Sequence, residues 1–138
     1  MQKKSQEKIV LDAWAILALL QGEEPACSVV SKKLRDSSLV IYMSWINLGE
    51  VYYILYRKHG EEEAESTLEE ILQLPVKFNE PDKKTIKNAA ILKGKYRLSY
   101  ADAFAIALAQ KVNGILLTGD PEIISLKNII KTLSLRRD

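Results

Sequence analysis

The chain is poor in the residues that build covalent or soft-metal frameworks. It has one cysteine, Cys27, and one histidine, His59, in 138 residues. A single cysteine excludes an internal disulfide scaffold and any cysteine-based zinc knuckle, and it suits a reducing compartment. A single histidine excludes histidine-rich metal sites and leaves a Ser–His or Cys–His mechanism only one possible base. Six glycines and four prolines are too few for a low-complexity chain. The formal net charge is only +2, from 20 Lys+Arg against 18 Asp+Glu, which permits a nucleic-acid partner without arguing for one. No apolar run reaches the ~20 residues of a membrane span. The start MQKKSQEK followed by IVLDAWAILALL imitates a secretory leader, but Asp12 breaks the run. Glu23 and Glu24 also stand where small cleavage-site residues belong. The expectation is a soluble, cytoplasmic protein with no membrane partner.

What is present is an ordinary core-forming composition, 47% hydrophobic and 28% charged, at a length that suits one domain over residues 1–138. Short apolar runs alternate with longer helical patterns. Strands are expected at residues 9–11, 39–43, 76–78 and 115–118, with a last one at 129–133 on an edge. Helices are expected at 13–20, 25–35, from the cap Ser44 to about 59, 61–74, 81–96 and 99–113. Apolar strands separated by ten or more helical residues require crossover connections and a parallel sheet covered on both faces. The fold class is therefore α/β, a three-layer α/β/α sandwich with a short-stranded parallel sheet.

In such a sheet, ligands bind beyond the carboxyl ends of the strands. Asp12 ends the first strand, Asp120 follows the fourth by one glycine, Asp102 lies in the helix opened by Ser99, and Glu50 lies in the helix opened by Ser44. Taken singly, three of them have plain explanations. Asp12 fits an N-cap, Asp102 the third position of a capping box, and Asp120 a turn before a Pro-started helix. Glu50, among Leu48, Val51, Tyr52, Ile54 and Leu55, has little solvated surface to occupy. Four carboxylates at one edge repel one another unless a positive charge sits among them, and no Lys or Arg is adjacent in sequence. A hard divalent cation, Mg²⁺ or Mn²⁺, is the natural counter-charge, and its chemistry suits phosphodiester hydrolysis.

The segments IVLDAWAILALL, SWINLGEVYYIL, LSYADAFAIALA and ILLTGDPEI resemble, in that order, those of PIN-domain proteins, and most of all the VapC-like ribonuclease toxins of toxin–antitoxin modules. The resemblance runs from Ile9 to about Leu133. It implies that Asp12, Glu50, Asp102 and Asp120 form an acidic metal site, that Asn47 supports it, and that Thr118 orients a metal-bound water. It implies a Mg²⁺- or Mn²⁺-dependent endoribonuclease acting on single-stranded RNA, leaving a 5′-phosphate and a 3′-hydroxyl. A homodimer and an inhibitory antitoxin protein are the implied partners. Trp14 departs from the pattern, since a small residue often follows the first Asp by two; its bulk either narrows the cleft or packs in the core.

Two surfaces suit partners. Lys83, Lys84, Lys87, Lys93, Lys95 and Arg97 form a basic run leading to Asp102, either an RNA-backbone contact or a solvated helix face. Lys3, Lys4, Arg136 and Arg137 are weaker candidates. Trp45, Ile46, Leu48, Tyr52, Tyr53, Leu55 and Tyr56 place apolar groups on more than one face of one helix, which suits a second copy or an antitoxin helix. Two other readings compete with the nuclease. One is a non-catalytic PIN-like module that binds RNA or protein. The other is a receiver-type signalling domain, disfavoured because Asp12 stands alone after its strand and residues 79–81 read Asn-Glu-Pro.

Overall fold

The computed structural model describes residues 6–138, so Lys3 and Lys4 lie outside the described residues. Five strands form one parallel sheet: β1 (Lys8–Leu11), β2 (Val40–Ser44), β3 (Lys77–Asn79), β4 (Ile115–Thr118) and β5 (Thr132–Ser134). Seven helices connect and cover them: α1 (Ala13–Gln21), α2 (Ala26–Arg35), α3 (Trp45–His59), α4 (Glu61–Leu72), α5 (Lys83–Lys95), α6 (Tyr100–Val112) and α7 (Pro121–Ile124). The strand order is β3-β2-β1-β4-β5. The chain order reverses between β1 and β4, which makes the gap beyond their carboxyl ends the topological switch point. A receiver-type sheet runs 2-1-3-4-5, so the order separates this fold from that reading.

The alternation of side chains along each strand divides the core. Ile9, Leu11, Ile41, Met43 and Leu117 point to one face, where they pack with residues of α1 to α4. Val10 and Leu116 point to the other, against α5, α6 and Ile123 of α7. α6 carries an alanine-rich turn pattern, with Ala103, Phe104, Ala105, Ile106, Ala107, Leu108 and Ala109 all buried. Small side chains let this helix approach the sheet and α3 closely while good helix propensity is kept. Among the described residues, no helix is long and apolar enough to cross a membrane.

Most expected elements are found, with three shifts. The last strand starts at Thr132, because Ile129 and Ile130 turn back onto the second core cluster and Thr132 and Leu133 take the register opposite Leu116 and Leu117. It is an edge strand, as expected. α5 begins two residues after Pro81, because the Asp82 side chain accepts from Thr85 N at 2.8 Å and caps it there. α4 stops at Leu72, short of the expected 74, where Gln73 and Leu74 form a turn.

Candidate metal centre

β1 and β4 lie side by side with Leu11 opposite Leu117, so Asp12 and Thr118 leave the sheet at the same level. Asp12 is 2% exposed. Its Oδ1 accepts from Ala15 N at 2.9 Å and caps α1. Thr118, fully buried, accepts from Asp120 N at 3.0 Å through its hydroxyl oxygen and lies near enough to Asp12 to hold that carboxyl down. The Thr118 hydroxyl thus sits between the first aspartate and the last. Asp120 Oδ1 in turn accepts from Glu122 N at 2.9 Å and caps α7.

The other two groups come from α6 and α3. Ser99 caps α6, its Oγ accepting from Asp102 N at 3.1 Å, and this fixes Asp102 in the first turn. α3 is anchored to α6 by Asn47, whose Nδ2 donates to the Ala101 carbonyl at 3.0 Å. Glu50, one turn further along α3, is half-buried. The plain reading of Asp12 and Asp120 as capping residues therefore holds, while Asp102 N is the group that Ser99 caps; these caps aim the carboxylates at one edge of the sheet.

Their electrostatics show that convergence. Burial pushes Asp12 up to about 7, helped by the charges of Asp120 and Glu50 and opposed by the hydrogen bonds from Thr118 and Ala15. Burial raises Asp102 as well, together with a hydrogen bond shared with Asp120 and the charges of Asp120 and Asp12. Glu50 is raised by burial and then by Asp120. Among the described residues, no lysine or arginine is a principal influence on any of these three carboxyls, so like charge in a desolvated pocket is left with little compensation there.

Carboxylate oxygens of Asp102, Asp120 and Glu122 all lie within 4.8 Å of one another. Two oxygens each ~2.1 Å from one Mg²⁺ stand up to ~4.2 Å apart, so small side-chain movements bring this trio to cation spacing. The donor set is all oxygen, which fits a hard divalent ion. Among the described residues, Asn47 Oδ1, on the side chain that ties α3 to α6, is buried without a hydrogen-bond partner, and such an orphan is a place for a bound water to contribute. Of the four expected carboxylates, Asp120 acts on each of Asp12, Glu50 and Asp102, and Asp12 and Glu50 lie outside the tight trio. The structure adds Glu122, absent from the sequence-based set. The signal for Glu122 was its place in Gly-Asp-Pro-Glu, the second position of a Pro-started helix at the same sheet edge.

The basic run divides. α5 and α6 are antiparallel, since Lys111 Nζ lies 3.5 Å from Asp82 Oδ2 and Asn88 pairs with Gln110. Lys83, Lys84 and Lys87 therefore stand at the end of α6 remote from Asp102, whereas Lys93, Lys95 and Arg97 lead into the turn before it. On α3, Leu48, Val51 and Leu55 are buried, while Trp45, Ile46, Tyr53 and Tyr56 are exposed.

A parallel 3-2-1-4-5 sheet with a carboxylate cup at its switch point is a PIN-like α/β/α fold. The chain belongs to the PIN domain family, whose model matches residues 9–129. Among curated proteins there is no match. Several solved structures share the fold. VapBC2 from Rickettsia felis, bound to a DNA fragment from its promoter, is 16% identical with a TM-score of 0.72, over 94% of this chain and 99% of that chain. VapC20 from Mycobacterium tuberculosis, a sarcin–ricin loop cleaving toxin, is 18% identical with a TM-score of 0.72, over 94% of this chain and 99% of that chain. FitAcB from Neisseria gonorrhoeae is 16% identical with a TM-score of 0.69, over 91% and 96%.

Proposed function

We propose that this chain is a Mg²⁺- or Mn²⁺-dependent endoribonuclease, cytoplasmic, acting as the toxin of a toxin–antitoxin pair. The observation that carries this is the poorly compensated carboxylate cup at the switch point of the sheet. Asp102, Asp120 and Glu122 would hold the ion together with Asp12 beside them, with Asn47 keeping α3 against α6. When bound, such an ion supplies Lewis acidity toward a phosphate oxygen and lowers the pKa of a coordinated water. Glu50, half-buried and raised by burial and then by the charge of Asp120, is suited to take up a proton at its carboxylate more readily than an exposed glutamate. Lys93, Lys95 and Arg97 would meet the backbone of the RNA entering the acidic cup, where unrelieved negative charge would otherwise repel it. The exposed row Trp45, Ile46, Tyr53 and Tyr56 on α3 would face a second copy of the chain or the antitoxin. The likeness to VapC20, a sarcin–ricin loop cleaving toxin, supports the toxin reading.

The test is RNA cleavage by the purified chain with Mg²⁺ or Mn²⁺, compared with Asp12→Asn and Asp102→Asn. Loss of at least two orders of magnitude in both variants is expected. Full activity in both refutes the assignment. An unaltered chain that binds RNA tightly but never turns over would instead establish a non-catalytic module.

A further inference from the structure

Trp14 stands two residues after Asp12, in the first turn of α1, and its indole lies against Gly119, the residue before Asp120. A Cβ placed on Gly119 would come within 2.3 Å of Trp14 Cε2 and Cζ2 and 2.6 Å of Cδ2. Gly119 is not one of the glycines with positive φ, so its backbone would accept alanine; the indole is what excludes a side chain there. The ring therefore occupies the space that a residue at 119 would fill.

The indole is itself held from the C-terminal end of the described chain. Arg137 Cζ lies 5.1 Å from the centre of the Trp14 ring, and Arg137 Nη1 pairs with Glu23 Oε1 at 3.2 Å. The segment carrying Arg137 is pinned by its backbone. Leu135 N donates to Thr118 O at 2.8 Å, Ala26 N to Arg136 O at 2.9 Å, and Asp138 N to Glu24 O at 2.9 Å. One of these bonds ends on Thr118, whose hydroxyl accepts from Asp120 N.

We infer that Trp14 is a positioning residue for Asp120: held by Arg137, its indole fills the missing side chain of Gly119 and fixes the 118–120 turn, keeping Asp120 and Glu122 at cation spacing from Asp102. A glycine in a turn is conformationally loose. This one is confined by an external wall. The inference deepens the metal-site reading and rests on it, and it accounts for the large residue at position 14: bulk there and the absence of a side chain at 119 are complementary halves of one contact.

The experiment is a double-mutant cycle on Trp14→Ala and Gly119→Ala, with Mn²⁺ affinity measured by isothermal titration calorimetry and melting measured in EDTA. Outer-shell supports of metal ligands typically contribute about 10–100-fold in affinity. Gly119→Ala, which drives a methyl into the ring, should weaken Mn²⁺ binding by at least about tenfold. Trp14→Ala should weaken it severalfold, with Trp14→Phe retaining most of the affinity. The double variant should bind better than Gly119→Ala alone, because the new methyl enters the space the indole leaves. Arg137→Ala should move affinity in the same direction as Trp14→Ala by a smaller factor. Unchanged Mn²⁺ affinity in Gly119→Ala, or a double variant whose loss equals the product of the single losses, overturns the inference. If the parent chain binds no Mn²⁺, the metal-site reading fails, and the contact is judged by the EDTA melting cycle alone. Rescue there upholds the steric pair, and additivity removes it.

Discussion

Replacing Asp12 by asparagine should stabilise the metal-free protein while abolishing its site. The folded state holds the Asp12 proton up to about pH 7, whereas an unfolded aspartate releases it near pH 3.9. Between those values the folded form binds more protons than the unfolded form, so raising the pH weakens the fold. The group is 2% exposed, so little solvent screening applies. Three pK units at ~1.36 kcal/mol each give ~4 kcal/mol as a ceiling above pH 7. Local relaxation of the pocket brings the expected gain for Asp12→Asn to about 2 kcal/mol, since an amide oxygen still accepts from Ala15 N. For a chain of this size that is a rise of roughly 5–8 °C in Tm at pH 8. The gain should fall progressively as the pH is lowered from 7 toward 4. Saturating Mn²⁺ should stabilise the parent by ~2.7 kcal/mol at a hundred times Kd, raising its Tm, and leave the variant unmoved. Differential scanning calorimetry in EDTA at pH 4.5, 6 and 8, repeated with Mn²⁺, reads all of this. A variant that melts below its parent at pH 8 in EDTA, or an advantage independent of pH, would falsify the account of the buried charge.

Three further outcomes follow from named contacts. Asn47→Leu removes the bond to the Ala101 carbonyl at 3.0 Å and should cost ~1–3 kcal/mol in urea denaturation, with weaker Mn²⁺ binding because Ala101 precedes Asp102. Asp120→Ser keeps an N-cap for α7 but deletes a carboxylate, so melting in EDTA should change by less than ~1 kcal/mol while Mn²⁺ affinity collapses; equal loss of both would mean that the residue serves structure alone. Changing Lys93, Lys95 and Arg97 to Glu should weaken RNA binding and flatten its salt dependence by up to ~3 in slope, whereas the same change at Lys83, Lys84 and Lys87 should have a much smaller effect. Filter binding in EDTA at several salt concentrations separates the two ends of the helix.

Much of this was legible from local patterns. Ser44 and Ser99 cap α3 and α6 as their positions suggest, and the apolar runs at residues 9–11 and 115–118 fall in β1 and β4, whose switch point brings Asp12 near Asp120. What stayed hidden depends on contacts between distant segments. The direction of the basic run relative to Asp102 is set by the antiparallel seating of α5 on α6, which a list of lysines does not encode. Glu122 joins the site only because the 118–120 turn directs α7 toward the first turn of α6. Thr118 reads as a hydroxyl beside the last aspartate, and only the parallel register with β1 shows that it is buried at the level of Asp12. The last strand slipped by three residues because Ile129 and Ile130, apolar enough for a strand, serve the core beside α6 instead.

The joint use of the aspartates as caps and as the cup has a common physical origin. A parallel sheet with βα connections sends helix N-termini to one edge, and those ends carry unpaired N–H groups and partial positive charge. Asp12 at α1, Asp102 in α6 and Asp120 at α7 each meet such an end. The helix ends make it tolerable to bury several carboxylates together, and the bonds to Ala15 N and Glu122 N hold each one by a single oxygen. The same helix ends cannot neutralise them fully, which is why Asp12, Asp102 and Glu50 are all raised. The residual negative potential is then available to a cation, and it is concentrated where β1 and β4 part. The capping and metal-binding readings are therefore not rivals: the caps supply both the aim of the carboxylates and part of the electrostatic tolerance that lets the fold bury them together.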